Sequence, residues 1–282
     1  MTDSIELLSK AKVGFIGAGN MAASILGGLI QSGLPAESIY VSNPSAGKLD
    51  ALKEKYPNLN ITHDNAEVAN NVEYLLLSVK PHIMSSACAD FKDMDLSQKC
   101  AISVAAGVTC ETLNNILGAD TPVVRSMPNT PSLIGYGATG LYANDKVTEQ
   151  QREATSAIFE AVGISVWVDE ENLIDSVTAV SGSGPAHYFL FMESVVQTGI
   201  ELGLPEATAR ELAAQTALGA AAMVQQNDDM EIGQLRRNVT SPGGTTAAAL
   251  DTLNEHKLPE IVKKALEASV KRAKELAEIA NQ

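Results

Sequence analysis

The stretch VGFIGAGNMA, residues 13–22, decides the fold of this chain. Its first four residues are apolar and predict a buried strand, and a helical pattern follows from Met21. Between them stands the pattern G-x-G-x-x-A, in which Gly17 makes a tight turn and Gly19 lets the backbone approach a pyrophosphate. The small side chain of Ala22 lets the helix pack against the strand. The flanking strand and helix predict a dinucleotide-binding turn; a purely structural turn is the alternative.

Strands and helices continue to alternate as far as residue 168. Helical patterns at 21–32, 45–56 and 148–161 lie among short apolar segments. The strand candidates are residues 12–17, 38–42, 73–78, 100–104, 122–127, 138–142 and 164–168. This alternation predicts an α/β fold, with a Rossmann-type doubly wound parallel sheet covered by helices on both faces.

The second part of the chain has a different pattern. From Asn172 onward no strand signal remains, and residues 186–202, 206–225 and 259–280 have helical patterns. We therefore expect a Rossmann domain at 1–168 and an all-α domain at 169–282. The first of these helices is apolar almost all round, so we expect it to be deeply buried, in part against another subunit.

The composition argues against several partners. The 282 residues are 45% hydrophobic and carry a net charge of −14 without a basic block, so nucleic acid is not an expected partner. An acidic surface is typical of a soluble cytoplasmic protein, and residues 1–10 lack the apolar segment of a signal peptide. The uncharged run at 176–192 contains glycines, serines and a proline, which predicts a buried helix with its entry loop and not a membrane span.

Cysteines and histidines give no sign of a metal site. Cys88, Cys100 and Cys110 match no metal or disulfide spacing, which predicts buried thiols in a reducing compartment. The four histidines are scattered along the chain, and none pairs with another at metal-ligand spacing. We therefore assign no metal.

The end of the second predicted strand indicates which dinucleotide binds. An NAD site places an acidic residue there, about 20 residues after the glycines, to bind the ribose 2′-hydroxyl. Here the strand ends in SNPS at residues 42–45, Lys48 follows, and no acidic residue occurs before Asp50. Hydroxyls, the amide of Asn43 and a nearby cation suit a 2′-phosphate, which predicts NADPH as the cofactor, with NADH as the alternative.

Three further loops follow predicted strands. They lie at residues 79–81, 105–107 and 128–131. Ligands of doubly wound sheets bind at the carboxyl ends of the strands, so these loops are expected to line the cofactor site, with Asn129 among the lining residues. Lys80 equally suits a solvated lysine at the start of a helix.

A second glycine-containing junction lies at residues 240–250, TSPGGTTAAAL. Proline and glycine end the preceding element, and a helix is predicted to start at Ala247. Free backbone N–H groups at a helix N-terminus form a site for a carboxylate or phosphate. Ser241, Thr245 and Thr246 add hydroxyls that donate or accept hydrogen bonds. A capped helix start without a ligand is the alternative.

Six motifs, in order and over nearly the full length, resemble those of the pyrroline-5-carboxylate reductases. They are FIGAGNMA (15–22), SVKPH (78–82), SVAAGV (103–108), MPNTP (127–131), DSVTAVSGSGPAHYF (175–189) and NVTSPGGTTAAAL (238–250). This family reduces the cyclic imine 1-pyrroline-5-carboxylate to L-proline with NADPH or NADH, the last step of proline biosynthesis. The resemblance implies a Rossmann domain and a helical domain that forms interlocked homodimers, often assembled into decamers as pentamers of dimers.

The resemblance also implies roles for individual residues. Gly17, Gly19 and Asn129 are expected at the cofactor from the loops described above, and the resemblance adds the others. The full cofactor-binding set is Gly17, Ala18, Gly19, Asn20, Met21, Asn43, Asn65, Val79, Lys80, Ala106, Asn129 and Asn238. The implied substrate-binding residues are Glu171, Asn238, Ser241, Gly243, Gly244, Thr245 and Thr246. The backbone of Gly243 and Gly244 is similar to the family's carboxylate cradle. The equivalent of Thr246 is proposed to hydrogen-bond the imine nitrogen, so Thr246 is the predicted catalytic residue, in a site expected to span both domains and the dimer interface.

Two other functions are alternatives to this one. The β-hydroxyacid dehydrogenases also join a Rossmann domain to a helical one, but they use a lysine, and no lysine occurs between Lys146 and Lys257. His187 is interpreted as a core or near-site histidine and not as a general base. Reduction of an imine needs no strong base, because its nitrogen is readily protonated. A dinucleotide-binding scaffold without activity is the second alternative, which a hydride-transfer assay would separate from an enzyme.

Overall fold

The computed structural model describes residues 7–8 and 10–280. The chain divides into two compact units, a nucleotide-binding unit that ends at Ser183 and resumes at Ser269, and a helical unit at Gly184–Ala268. This division differs from the boundary expected after residue 168. The segment that follows the last strand stays with the sheet because Ile174 and Ala179 are buried there, at 4% and 1% exposure.

The nucleotide-binding unit is built on an eight-stranded sheet. The strands are β1 Val13–Ile16, β2 Ile39–Ser42, β3 Asn60–Thr62, β4 Tyr74–Leu77, β5 Cys100–Ser103, β6 Val123–Met127, β7 Gly137–Ala143 and β8 Gly163–Trp167. The helices are α1 Asn20–Gln31, α2 Ala46–Lys55, α3 Asn65–Asn71, α4 Met84–Ala87, α5 Cys110–Leu117, α6 Glu149–Glu160 and α7 Leu173–Val177. The seven predicted strands are confirmed. Strand β3 was not predicted, because its three residues are only partly buried and form no apolar run.

Strand order places the loops that matter at one edge of the sheet. The order is β3-β2-β1-β4-β5-β6-β7-β8, and β1 to β6 all run parallel. The last two strands run in the opposite direction, since β7 pairs with β6 antiparallel and with β8 parallel. The carboxyl ends of β1 to β6, and the loops that follow them, therefore share one edge, as the doubly wound fold requires.

Helices cover both faces of the sheet, as predicted. Successive strand residues alternate between two apolar clusters, because side chains along a strand point to opposite faces. Phe15 belongs to one cluster and Ile16 to the other, and Leu76 and Leu77 divide in the same way. The two clusters are the two layers of core that separate the sheet from its helices.

The helical unit contains α8 Gly184–Glu201, α9 Glu206–Gln225, α10 Ile232–Asn238, α11 Thr245–Glu255 and the first part of α12 Leu258–Ala280. No strand occurs in the part of it that the structure describes, so the all-α prediction is confirmed. The deep burial predicted for residues 186–202 is wrong for the single chain. Tyr188, Phe189 and Phe191 are 69%, 60% and 54% exposed, because the helical unit packs only part of the surface of α8.

Two smaller expectations concern membranes and cysteines. Within residues 7–8 and 10–280, none of the helices combines the length and the apolar character needed to cross a lipid bilayer. The three cysteines are free and buried, as predicted. Burial raises the pKa of Cys88 to about 12, so its thiol stays protonated near neutral pH.

Candidate active site

The turn after β1 has the geometry that its glycines predict. Gly17 has a φ of +99°, which side chains of L-residues rarely adopt. A Cβ at this position would lie 2.7 Å from the carbonyl oxygen of Ser78. The N–H of Gly17 donates to the carbonyl of Ser42 at 2.8 Å, which ties the turn to the end of β2. Only glycine adopts this φ readily and also avoids the contact with Ser78.

The turn leads into a helix N-terminus that suits a pyrophosphate. Helix α1 begins at Asn20, and its N-cap residue Gly19 makes no side-chain capping bond. No acidic residue lies in the first turn, and a Cβ at Gly19 would meet no atom within 4 Å. Open space, free N–H groups and the positive end of the helix dipole together fit a bound dinucleotide phosphate. Asn20 is exposed and Met21 is partly exposed beside this space.

Asn43 holds the glycine-rich turn in place. Its side chain is 8% exposed, and its Oδ1 accepts the N–H of Ala18 at 3.1 Å. Its Nδ2 donates to the carbonyl of Ser45 at 3.0 Å. The ring Nδ1 of His63 lies 2.8 Å from the Asn43 carbonyl, a contact that the sequence did not suggest. Both ends of the Asn43 amide are therefore engaged within the protein.

Asn65 also bridges two segments of the chain through its side-chain amide. Its Oδ1 accepts from the hydroxyl of Ser42 at 2.6 Å, and its Nδ2 donates to the carbonyl of Ala87 at 2.8 Å. Ser42 is fully buried, so it offers no hydroxyl to solvent. The exposed polar groups at this end of β2 are instead Ser45, the N-cap of α2, and Lys48. Helix α2 has no side-chain capping bond and no acidic residue in its first turn.

The remaining predicted cofactor loops lie at the same edge of the sheet. After β4, Val79 is half-buried and Lys80 is exposed, and after β5 Ala106 is exposed. Asn129, after β6, is 7% exposed. Its Nδ2 donates to the carbonyl of Ser181 at 3.0 Å, and its Oδ1 accepts the N–H of Ala138 at 2.9 Å, so Asn129 shapes its loop from within.

Glu171 is part of an ion pair in which Arg125 is buried and Glu171 is partly exposed. Its Oε1 lies 2.8 Å from Nη1 of Arg125, a residue of β6 that is 6% exposed. The same oxygen accepts the N–H of Cys110, the first residue of α5, at 2.7 Å. Burial, with the Glu171 charge nearby, raises the pKa of Cys110 to about 12. Arg125 was not among the predicted site residues, although a lone charge within the apolar strand VVRSM indicates an ion pair.

The PGG junction of the helical unit starts its helix two residues earlier than predicted. Helix α11 begins at Thr245 and not at Ala247, with Gly244 as its N-cap. Gly243 has a φ of +70°, and the N–H of Gly244 donates to the carbonyl of Ser241 at 3.0 Å. This glycine turn, and not the alanine run, defines the start of the helix, because a turn with positive φ ends the preceding element. Both threonines therefore belong to the first helical turn.

The hydroxyls at this junction are available to a ligand. Ser241, Thr245 and Thr246 are exposed, and among the residues that the structure describes their side-chain hydroxyls have no hydrogen-bond partner. The first N–H groups of α11 have no acceptor within the helix, and its first turn carries no acidic residue. The arrangement can bind a carboxylate through backbone N–H groups and offer a hydroxyl to a second polar atom.

Two predicted residues lie elsewhere on the helical unit. Asn238 ends α10, and its exposed side chain accepts from Nε2 of Gln234 at 2.7 Å. His187 stands on α8 and is exposed, so its interpretation as a core residue is wrong for the single chain.

The glycine turn after β1 suits a phosphate, and the helical unit that follows in the chain carries a polar junction that suits an anion. Together they define a dinucleotide-dependent oxidoreductase. The pyrroline-5-carboxylate reductase of Pseudomonas aeruginosa is 44% identical to this chain over 271 residues, which cover 96% of the chain and 98% of that protein. The chain belongs to the pyrroline-5-carboxylate reductase family.

Family and structure comparisons agree with this assignment. Residues 171–276 match the family described as pyrroline-5-carboxylate reductase dimerisation, and residues 12–107 match NADP oxidoreductase, coenzyme F420-dependent. A pyrroline-5-carboxylate reductase structure from Coxiella burnetii superposes with a TM-score of 0.90 at 44% identity, covering 94% of this chain and 98% of that one. The Plasmodium falciparum pyrroline carboxylate reductase with NADP bound gives 0.83 at 31% identity, covering 95% and 99%.

Proposed function

We propose that this chain reduces 1-pyrroline-5-carboxylate to L-proline with NAD(P)H. The observation that carries this proposal is the first turn of α11, where Thr245 and Thr246 present exposed hydroxyls with no partner among the described residues, beside N–H groups that suit a carboxylate. Membership of the family supplies the reaction class. Bound NAD(P)H supplies the hydride that the imine carbon receives.

The roles of the substrate-binding residues follow from their chemistry. The N–H groups that open α11, together with the turn at Gly243 and Gly244, hold the substrate carboxylate. The hydroxyl of Thr246 accepts the N–H of the protonated imine, and it donates to the nitrogen lone pair once the amine has formed. The hydroxyl of Ser241 and the amide of Asn238 complete the polar surroundings of the ring. Orientation of the ring and one hydrogen bond to its nitrogen are the main needs of this reaction, since no strong base is required.

The nucleotide-binding unit is proposed to hold the cofactor through backbone more than side chain. The pyrophosphate lies against the turn from Gly17 to Met21 and the free N–H groups of α1. Val79, Lys80 and Ala106 contact the cofactor from the loops after β4 and β5. Asn43, Asn65 and Asn129 act by shaping the surrounding backbone, because their amides are engaged within the protein.

NADPH is proposed as the preferred form of the cofactor. The exposed Ser45 and Lys48 and the uncapped start of α2 provide a hydroxyl, a cation and free N–H groups for a 2′-phosphate. The chain has no acidic residue between β2 and Asp50 to bind a ribose 2′-hydroxyl. We further propose a cytoplasmic location, supported by three free and buried cysteines, and assembly of dimers into a decamer.

A direct assay tests the proposed reaction. Purified protein is mixed with 1-pyrroline-5-carboxylate and NADPH, oxidation of the cofactor is followed by its absorbance, and proline is measured as the product. We expect one proline formed for each NADPH consumed. Binding of NADPH without turnover of the imine would favour the scaffold alternative and remove the proposal.

A further inference from the structure

Glu171 connects three elements of the nucleotide-binding unit from the loop between β8 and α7. Its Oε1 accepts the backbone N–H of Cys110 at 2.7 Å and lies 2.8 Å from Nη1 of Arg125. Cys110 opens α5, and Arg125 stands in the middle of β6. One carboxylate oxygen therefore joins β6, the start of α5 and its own loop, and its charge lies at the positive end of a helix dipole.

The segment just before α5 is the proposed cofactor loop. Ala106 precedes Cys110 by only a few residues, and Gly107, with a φ of +81°, turns the chain between them. Thr109 caps α5 by accepting the N–H of Thr112, so the helix start is held both by its own N-cap and by Glu171. The position of the Ala106 backbone consequently depends on where Glu171 places the start of α5.

Arg125 borders the same loop from the sheet side. Together with Ala105, Ala106 and Gly107 it lines a cavity of about 50 Å³. Arg125 is 6% exposed, and its Nε is buried with no hydrogen-bond partner in the part of the chain that the structure describes. Glu171 is the carboxylate that compensates this buried cation, so loss of the Glu171 charge would leave the cation unpaired against the loop.

We propose that Glu171, acting through Cys110 and Arg125, is a positioning residue for the cofactor and not a substrate ligand. The pair holds the Ala105–Ala106–Gly107 loop in the conformation that binds NAD(P)H. This inference rests on the proposed function, since it assumes that Ala106 contacts the cofactor. It replaces the substrate contact that the resemblance implied for Glu171, because Oε1 of that side chain is engaged by the α5 start and by Arg125.

The first test separates cofactor affinity from substrate affinity. Glu171→Gln removes the charge and keeps the shape, and Glu170→Gln makes the same change one residue away, at an exposed carboxylate outside the ion pair. The dissociation constant for NADPH is measured by calorimetry without substrate, and the KM for the imine is measured at saturating NADPH. We expect Glu171→Gln to weaken NADPH binding roughly tenfold, the range of a lost hydrogen bond to a charged group, with the KM for the imine unchanged.

The control and the contrary outcome are equally specific. Glu170→Gln is expected to match the wild type in both measurements. A raised KM for the imine with unchanged NADPH affinity would restore Glu171 to the substrate site and overturn the proposal. The calorimetry involves no turnover, so a wild-type protein that binds NADPH but fails to reduce the imine would refute the proposed function while leaving this test intact.

A double variant covers the case in which Glu171→Gln does not fold. Arg125→Gln combined with Glu171→Gln removes both charges, so no unpaired charge stays buried. We expect the double variant to fold and to bind NADPH more weakly than the wild type, because the ion pair that holds the loop is gone. Wild-type NADPH affinity in the folded double variant would overturn the proposal.

Discussion

At the scale of single residues, the two groups of proposed site residues differ in how free their side chains are. The amides of Asn43, Asn65 and Asn129 are engaged by backbone or hydroxyl groups, so these residues shape the loops that are proposed to surround the cofactor. Thr245 and Thr246 present exposed hydroxyls that have no partner among the described residues. Substitution in the first group should alter loop geometry, whereas substitution in the second should alter chemistry directly.

Thr246→Ala tests the chemical role. We expect turnover to fall by roughly ten- to a thousandfold, the range for a lost transition-state hydrogen bond or proton relay. NADPH binding should be unchanged, since the substitution leaves the nucleotide-binding turn intact. Thr246→Ser keeps the hydroxyl and should retain much more activity. Steady-state rates, cofactor titration and melting temperatures on the same three proteins decide the matter.

The alternative, in which Thr246 only stabilises the start of α11, predicts that Thr246→Ala melts earlier and turns over normally. Thr246 is the second residue of α11 and makes no capping bond, so its removal should not cost the stability of a helix cap. Thr252→Ala is a matched control on the same helix, where the hydroxyl donates to the carbonyl of Ala248. Thr252→Ala should turn over normally. An early melting transition with normal turnover in Thr246→Ala would remove the catalytic assignment.

Ser45→Asp tests the preference for NADPH. Aspartate is a good N-cap residue, so α2 should keep its stability while the new charge repels a 2′-phosphate. We expect kcat/KM with NADPH to fall roughly tenfold and kcat/KM with NADH to change little. Lys48→Gln should act in the same direction, whereas Lys55→Gln, at the far end of α2, should have no effect. Equal losses with both cofactors would mean that neither residue contacts the phosphate.

At the scale of elements, the same substitution should have opposite effects in two helices. A Cβ on Gly28 of α1 would lie 2.6 Å from the carbonyl oxygen of Ala161, at the end of α6, and would also contact Val162. Gly28→Ala should therefore lower the free energy of unfolding by about 1–3 kcal/mol, the usual cost of overpacking. Gly47 of α2 has no atom within 4 Å of such a Cβ.

Gly47→Ala is the matched substitution at an open position. It should raise the free energy of unfolding by about 0.5–1 kcal/mol, because alanine loses less backbone entropy than glycine in a helix. Urea unfolding followed by circular dichroism measures both variants. A stabilised Gly28→Ala would show that α1 does not pack closely against the end of α6.

The elements also show where sequence reasoning succeeds. Buried parallel strands such as β1 and β4 are continuous apolar runs, and glycine patterns mark the turn after β1, so the fold and the nucleotide turn could be predicted. Strand β3 carries no such run. Its pairing with β2, and not its own composition, holds it in the sheet. The contact between Glu171 and Arg125 joins residues 46 apart in sequence, and spacing alone cannot reveal it.

Helix α8 shows a different limit. Its apolar composition predicts deep burial, in part against another subunit, and several of its aromatic side chains are exposed in the single chain. Composition reports that a surface will be covered, but it does not say by which molecule. The start of α11 is a smaller case, since the predicted helix began with the alanines whereas the glycine turn had already set the first helical residue at Thr245.

At the scale of the whole molecule, the exposed face of α8 lies within the region that matches the family's dimerisation model. That region is residues 171–276, and it includes all of α8 and α9. Side chains of these two helices, among them Tyr188, Phe191 and Val195, line an apolar groove of about 760 Å³. An apolar surface of this extent is costly to leave in water, so a second copy of the chain is the expected cover.

Phe191→Glu should therefore weaken the oligomer. Phe191 is 54% exposed in the single chain and lines the groove, so burial against a partner would place the new charge in an apolar interface. We expect light scattering to show a dimer or a multiple of one for the wild type and a shift toward monomer for Phe191→Glu at micromolar concentration. Gln98→Glu makes the same charge change at an exposed position of the nucleotide-binding unit and should leave the mass unchanged.

The same variant links assembly to activity. The nucleotide-binding turn belongs to the other compact unit, so monomeric Phe191→Glu should still bind NADPH. Turnover should fall with the oligomer if the substrate site requires the dimer, as the family resemblance implies, because the residues proposed to hold the imine lie within the dimerisation region. Mass, NADPH affinity and turnover measured on one preparation distinguish the cases. A monomeric variant with full turnover would show that each chain carries a complete site, and a dimeric one would place the interface away from Phe191.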